Sequence, residues 1–208
     1  MTEHLVLIGT VTLIHLLAVM SPGPDFIMVM KHSLSYSRET GIWTSIGIGL
    51  GILVHILYCF VGLGIVINNS PVLFNVIKYV GALYLLYLGI MSFISKVEDV
   101  DFDGTIQLKV QPGALKSLRI GFLTNVLNPK ATLFFLSLFT LVISPDTPYG
   151  ILFIISIILV GNTMLWFVFL SYVITIRKVR IIFNRFQNRF NQVFGIILIL
   201  VAIKIAMG

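Results

Sequence analysis

The chain has 208 residues, 58% of them hydrophobic and 11% charged, with a mean hydropathy of +1.04. Soluble domains carry about 25% charged residues, so a soluble core is excluded and an integral membrane protein is indicated. The formal net charge of +6 would suggest nucleic acid as partner of a soluble protein. Here the basic residues fall in short connections between apolar runs, where membrane topology explains them and no nucleic acid is needed.

The first apolar run, Leu5–Met30, has no basic segment before it and no small-residue cleavage site after it. It reads as a retained span, not a signal peptide. Within it lies Ser21-Pro22-Gly23-Pro24-Asp25. Proline lacks a backbone N–H and clashes with the preceding turn, so the helix is expected to break here. Free backbone groups inside a bilayer are tolerated only when buried in protein or lining a wet cavity. Asp25 is the one carboxylate that an apolar span carries well below the membrane surface. Such a charge costs about 2.5–3.5 kcal/mol on insertion scales and usually marks a pathway or a pair. Gly23 is expected to supply torsions closed to other residues and to let a ligand approach the backbone.

The second span, Trp43–Ile67, begins with Gly41, Ser45 and Gly49 four apart, beside Gly47 and Gly51 at the same spacing. Small residues on a helix face allow close backbone approach, for tight packing or for a sliding surface. Cys59 lies in this run and has no internal disulfide partner, so it says nothing about compartment. The third span is Val72–Ser95. A polar stretch near Lys96–Lys116, with Glu98, Asp99, Asp101 and Asp103, reads as a linker.

The fourth span, Leu118–Ile143, repeats the break as Asn128-Pro129-Lys130, with Asn125 one turn earlier. Each break frees carbonyls on one side and N–H groups on the other, and the following half-helix points a positive end into the gap. Asp25 at one break suits an ammonium group; Lys130 and a half-helix N-terminus at the other suit a carboxylate. Alternatively, Asp25 caps its helix and pairs with Lys130. The fifth span, Gly150–Ile174, carries Asn162 at mid-length, placed for an interhelical hydrogen bond or for substrate. The sixth span is Phe190–Met207. The preceding run Arg177–Arg189 interleaves basic residues with Ile181, Ile182, Phe183 and Phe186, a pattern suited to an anionic inner leaflet.

Eleven of the 14 Lys and Arg residues lie in three connections: Lys31 and Arg38; Lys96, Lys109, Lys116 and Arg119; Arg177, Lys178, Arg180, Arg185 and Arg189. The positive-inside rule places these in the cytoplasm and both termini on the periplasmic side. Three spans per half forces the second half to be inserted upside down. The fold expected is therefore an all-α integral membrane protein of six transmembrane helices, arranged as two inverted three-helix repeats with helices 1 and 4 broken at the proline motifs. Residues 1–208 form one transporter domain: repeat one at about 1–96, a linker at about 97–114, repeat two at about 115–208. The glycines Gly81 and Gly195 are expected to correspond. Inverted repeats with discontinuous helices are a recurrent transporter plan.

His15 and His55 are the other titratable groups within spans, open to packing, proton relay or metal binding. No His pair at i, i+4 and no His–carboxylate motif is present, so no metal site is assigned. No phosphate loop or catalytic motif appears, so neither a cofactor nor an enzymatic activity is expected.

Ser21-Pro22-Gly23-Pro24-Asp25 and Gly121–Lys130, with the Gly41–Gly51 region and the run Tyr79–Gly89, resemble the LysE/RhtB family of bacterial amino-acid exporters, in its threonine- and homoserine-lactone-exporter-like branch. The resemblance covers essentially the whole chain. It implies a multi-pass protein of the bacterial inner membrane that exports amino acids or their derivatives, driven by protons. It also carries Pro22, Gly23, Pro24, Asp25, Asn125, Asn128, Pro129 and Lys130 over as elements for substrate binding or coupling. One acid and one base favour a neutral zwitterion over lysine or arginine. The alternative is a cation or metal-ion permease using Asp25 and the membrane histidines; a third is a scaffold without transport. A homo-oligomer is compatible with the sequence, which sets no subunit number.

Overall fold

The protein is described by a computed structural model covering residues 2–69, 71–94, 111–143 and 147–207. Eight helices occur among these residues and no strand: α1 (Thr2–Met20), α2 (Pro24–Ser35), α3 (Arg38–Asn69), α4 (Pro71–Ile94), α5 (Ala114–Val126), α6 (Pro129–Val142), α7 (Tyr149–Val173) and α8 (Arg177–Met207). The expected linker, with Glu98, Asp99, Asp101 and Asp103, falls at 97–110 outside the described residues, as do Lys96 and Lys109.

Both proline motifs interrupt their helices. The first separates α1 from α2 and the second separates α5 from α6. The two interruptions differ in placement. At 1.5 Å per residue, the 19 residues of α1 reach about 28 Å, nearly a full bilayer core. α5 and α6, with 13 and 14 residues, are each too short alone. Among the described residues, four helices are long and apolar enough to cross a membrane: Thr2–Met20, Arg38–Val61, Asn75–Ile94 and Tyr149–Val173. The basic run Arg177–Arg189 is continuous with the last apolar segment in one helix, α8, of which Asn191–Ile203 is a shorter apolar stretch.

The apolar side of the molecule is turned outward. Leu13, Leu57, Leu83, Phe153, Leu165 and Leu200 are each more than half exposed, while Thr44, Ser45, His55, Ser117 and Ser171 are fully buried. Large apolar surface of this kind suits lipid and not water. Among lipid tails apolar burial gives little drive for helix association, which falls to close packing and interhelical hydrogen bonds. The glycines supply the first. α3 is the hub, packed on α2, α5, α6 and α7. A Cβ on Gly47 would run into the Leu118 carbonyl of α5, and one on Gly121 into the Thr44 carbonyl of α3. The stripe Gly41–Gly51 therefore serves tight packing: Gly41 faces Ser33 and Ser171, Gly49 faces Met164, and Gly51 faces Asn125. At the α4–α8 crossing the relation is reciprocal. A Cβ on Gly89 would lie 2.8 Å from the Gly195 carbonyl, and one on Gly195 would lie 2.5 Å from the Gly89 carbonyl. Gly195 thus meets Gly89, whereas Gly81 packs on Ser137 of α6.

Two apolar clusters fill the interior. One joins Ile14, Ile52, Phe135, Phe139, Leu159 and Leu198; the other joins Phe26, Val29, Ile48, Phe167 and Leu170. The two helix breaks meet where these clusters adjoin.

Candidate functional site

α1 ends in a tight turn in which Ser21 N donates to the Ala18 carbonyl at 3.2 Å. Pro22 and Pro24 then remove two donors, and Pro24 occupies the first turn of α2, where its missing N–H costs nothing. Gly23 has φ −179° and ψ −175°. This is extended backbone that any residue adopts, so the expected special torsion is absent. What glycine provides is room: a Cβ there would lie 3.2 Å from Lys130 Cδ and 3.3 Å from its Nζ.

At the second break, Asn128 is the N-cap of α6, its Oδ1 accepting from Lys130 N at 3.0 Å. Its amide nitrogen donates to Asp25 Oδ2 at 3.1 Å, and Asn125 Nδ2 donates to the same oxygen at 2.9 Å. Lys130 Nζ reaches the other way. It donates to the Pro22 carbonyl at 2.8 Å, to Ser21 Oγ at 3.0 Å and to the Ser21 carbonyl at 3.3 Å. The three N–H groups of the ammonium thus have three acceptors.

The arrangement is crossed. The acid of the first break is held by amides of the second, and the base of the second caps carbonyls freed by the first. Among the described residues no ion pair within 4.0 Å joins Asp25 to Lys130. Nor does Asp25 cap its own helix: its Oδ1 has no protein partner and its Oδ2 accepts from Asn125 and Asn128. All eight residues singled out in the sequence stand at the two breaks, Asn125 being 1% and Asn128 4% exposed.

These breaks open on a cavity of about 50 Å³ lined by Asp25, Asn125, Asn128 and Lys130 on the polar side. Phe26, Ile52, Phe134 and Phe135 line its apolar side. A water needs about 10–15 Å³ on this measure, so the space holds a few waters. Asp25 Oδ1 and Asn125 Oδ1 are buried without a protein partner. Both are acceptors, a shortage of donors that a cationic or N–H-bearing ligand would meet.

The structure adds contributors that the sequence left without a place at the site, His15 among them as a group open to packing, relay or metal binding. Ser21 ligates Lys130 through both hydroxyl and carbonyl; its place just before Pro22 was the available signal. His15 lines the cavity, its Nε2 3.5 Å from Thr163 Oγ1, its Nδ1 without a partner and its ring edge-on to Phe135. A polar seam joins α2, α3 and α7, where His32 Nδ1 meets Thr44 Oγ1 at 2.7 Å and Ser45 Oγ meets Ser171 Oγ at 3.3 Å. Nothing in the spacing of those residues marked it. Asn162, in α7, has its amide nitrogen buried and unpartnered and lies outside the lining. Among the described residues no three His, Cys, Asp or Glu side chains come together as a metal site.

The profile of the LysE type translocator family matches residues 16–208. The chain belongs to the LysE-type translocators. This translocator is a multi-pass membrane transporter and not an enzyme. It is 34% identical to an uncharacterized membrane protein, YrhP, of Bacillus subtilis (strain 168), over 91% of this chain and 93% of the relative. It is 31% identical to the threonine efflux protein of Salmonella typhi and 28% identical to that of Escherichia coli (strain K12), over 85% of both chains in each case. No solved structure matches it.

Proposed function

We propose that this translocator exports a small zwitterionic amino acid, or a derivative of one, across the bacterial inner membrane in exchange for protons. The observation that carries the reading is the crossed cavity, with an acid and a base at its two breaks and unpartnered acceptors on Asp25 and Asn125. An ammonium fits those acceptors and competes with the asparagine amides for Asp25. A carboxylate competes with the Ser21 and Pro22 carbonyls for Lys130. A substrate with both charges therefore loosens both cross-links at once, and so favours a state in which the breaks are apart. That differential binding is what a ligand needs to shift a conformational equilibrium. The threonine efflux proteins among the relatives agree with a short zwitterion.

The six-span inverted repeat belongs to this proposal. α5 and α6 together form the fourth passage and α8 the sixth. In a two-fold plan that exchanges the halves, the second and fifth passages meet each other, as do the third and sixth. α3 packs on α7 and α4 on α8 in that way, and the reciprocal Gly89–Gly195 contact fits such an axis. The contacts of α3 with α5 and of α7 with α1 fit it too. Both termini are then periplasmic and the three basic connections cytoplasmic.

The test is efflux of threonine, homoserine, leucine and lysine from an overexpressing strain. The wild-type chain is expected to export the neutral compounds in preference to lysine. Asp25→Asn and Lys130→Gln, made separately, are expected to stop export while membrane abundance stays the same. Undiminished export by both variants would refute the site.

A further inference from the structure

Beside the cavity, α3 carries a hydrogen-bonded chain that the substrate site does not use. His55 is fully buried, its ring stacked on Phe135 at 5.4 Å between centroids and 10° between planes. Its Nε2 lies 3.0 Å from the Asn125 carbonyl oxygen and its Nδ1 2.8 Å from the Tyr58 hydroxyl. That hydroxyl lies 3.1 Å from the Thr132 carbonyl oxygen. Asn125 belongs to the last turn of α5 and Thr132 to the first turn of α6. One turn of α3 therefore fastens both sides of the second break.

The chain has three links and ends in two carbonyl oxygens, which only accept. A neutral imidazole and a phenol supply two hydrogens between them. If Nε2–H serves Asn125 and the hydroxyl turns to Nδ1, the Thr132 oxygen has no donor from Tyr58. If the hydroxyl serves Thr132, either Nδ1 faces it lone pair to lone pair, or Nδ1 takes the hydrogen and Nε2 faces the Asn125 carbonyl bare. An imidazolium supplies the third hydrogen and completes every link.

We propose that His55 and Tyr58 form a proton-loaded bracket across the α5–α6 break, closed when His55 carries a second proton and open at one end when it does not. The proton comes from water, adds to the lone pair of a ring nitrogen and leaves by the same N–H bond. A buried imidazolium is costly without partners, so the charge is retained only while both carbonyls face it. Proton occupancy is thereby tied to the geometry of the break, and through Asn125 to the grip on Asp25. The ionisable groups nearby are Asp25 of α2 (through Asn125), Lys130 of α6, His15 of α1 across Phe135, and Cys59 on α3 itself. α7 presents Thr163 to the cavity. α5 faces the ring with the Asn125 carbonyl, and the α4 tyrosines make no bond to it. His55 and Tyr58 are positioning residues. Their effect on transport rests on the proton-coupled reading above; the hydrogen count does not.

The test is nitrogen NMR of protein with labelled histidine rings in liposomes, without substrate, from about pH 5 to about pH 9, with His55→Gln to assign the signal. Wild-type protein is expected to show an imidazolium signal for His55 within that window. Tyr58→Phe deletes both links made by the hydroxyl, so a neutral Nε2–H tautomer satisfies the one that remains, to the Asn125 carbonyl. Its ratio of imidazolium to neutral imidazole at a given pH is expected to fall about tenfold. Identical titration of His55 in both proteins overturns the bracket. So does a wild-type ring that stays neutral throughout, which also decides the matter if Tyr58→Phe fails to insert. Threonine counterflow is the second arm: Tyr58→Phe is expected to flatten its pH profile. Absence of threonine transport by the wild-type protein would count against the substrate reading and leave the NMR result standing.

Discussion

Asp25 and Lys130 are each stabilised by groups that the other break provides. A hydrogen bond to a charged group is worth about 1.5–3 kcal/mol, and losing one without replacement costs about tenfold or more in a rate or constant that depends on it. Substitutions at the two glycines beside the site separate room from geometry. A Cβ on Gly51 would lie 2.6 Å from Asn125 Oδ1 and 2.8 Å from Asn125 Cβ, a side chain already bound to Asp25. A Cβ on Gly23 would press only on the flexible end of Lys130 at 3.2 Å. Gly51→Ala is therefore expected to lower the initial efflux rate about tenfold or more, and Gly23→Ala by less than about threefold, at equal membrane abundance. A larger loss from Gly23→Ala than from Gly51→Ala would contradict this account of Asn125. At this scale the sequence showed which residue types stand at the breaks. It offered two poles for a substrate and, as the alternative, a direct acid–base pair; in place of that pair the structure has a crossed set, because freed carbonyls and asparagine amides are nearer partners.

Each helix break has a local cause, Pro24 and Pro129 at the first turn of a new helix with Gly23 and Asn128 as N-caps. The joining of helices depends on glycine more than on apolar area. Backbone meets backbone where α3 crosses α5, so a methyl group cannot be absorbed by a side-chain shift. Gly47→Ala and Gly121→Ala are each expected to destabilise the protein by about 1–3 kcal/mol, read as a lower melting temperature in detergent. Gly9→Ala and Gly161→Ala have no heavy atom within 4 Å of the new Cβ and are expected to leave it unchanged or raise it, since alanine is the better helix former. Equal melting temperatures for the two pairs would refute the close-packing assignment. The small-residue spacing of α3 was visible in the sequence. Which neighbour each glycine meets was not, because within little more than one turn Gly47 and Gly51 fall on α5 and Gly49 between them falls on α7.

Across the whole molecule, apolar residues face outward and polar ones inward, and in the proposed plan the loop charges set the direction of that bundle. Reporter fusions at the two termini test the direction: both are expected to be active only with a periplasmic reporter, and an active cytoplasmic reporter at the C-terminus would overturn the six-passage plan. Lys31, Arg38, Lys116 and Arg119 are among the described basic residues that hold the cytoplasmic side in this plan. Neutralising Lys31 and Arg38 together is expected to weaken the orientation of the first two passages without touching the cavity residues, measured as a mixed reporter signal.

Length, hydropathy and two proline motifs were enough to indicate a membrane protein whose helices are interrupted at Ser21–Asp25 and at Asn128–Lys130, because helix breaking is local chemistry and bilayer insertion is set by composition; transport came from the family those motifs resemble. The sequence also offered an acid and a base, one near each break. What they bond to was decided by the tertiary structure alone. Asp25 is separated by 100 residues from Asn125 and Lys130 by 108 from Pro22, and the acceptors for Lys130 include backbone oxygens that carry no side-chain identity. The His55–Tyr58 chain is hidden for the same reason, since both its ends are carbonyls of other helices.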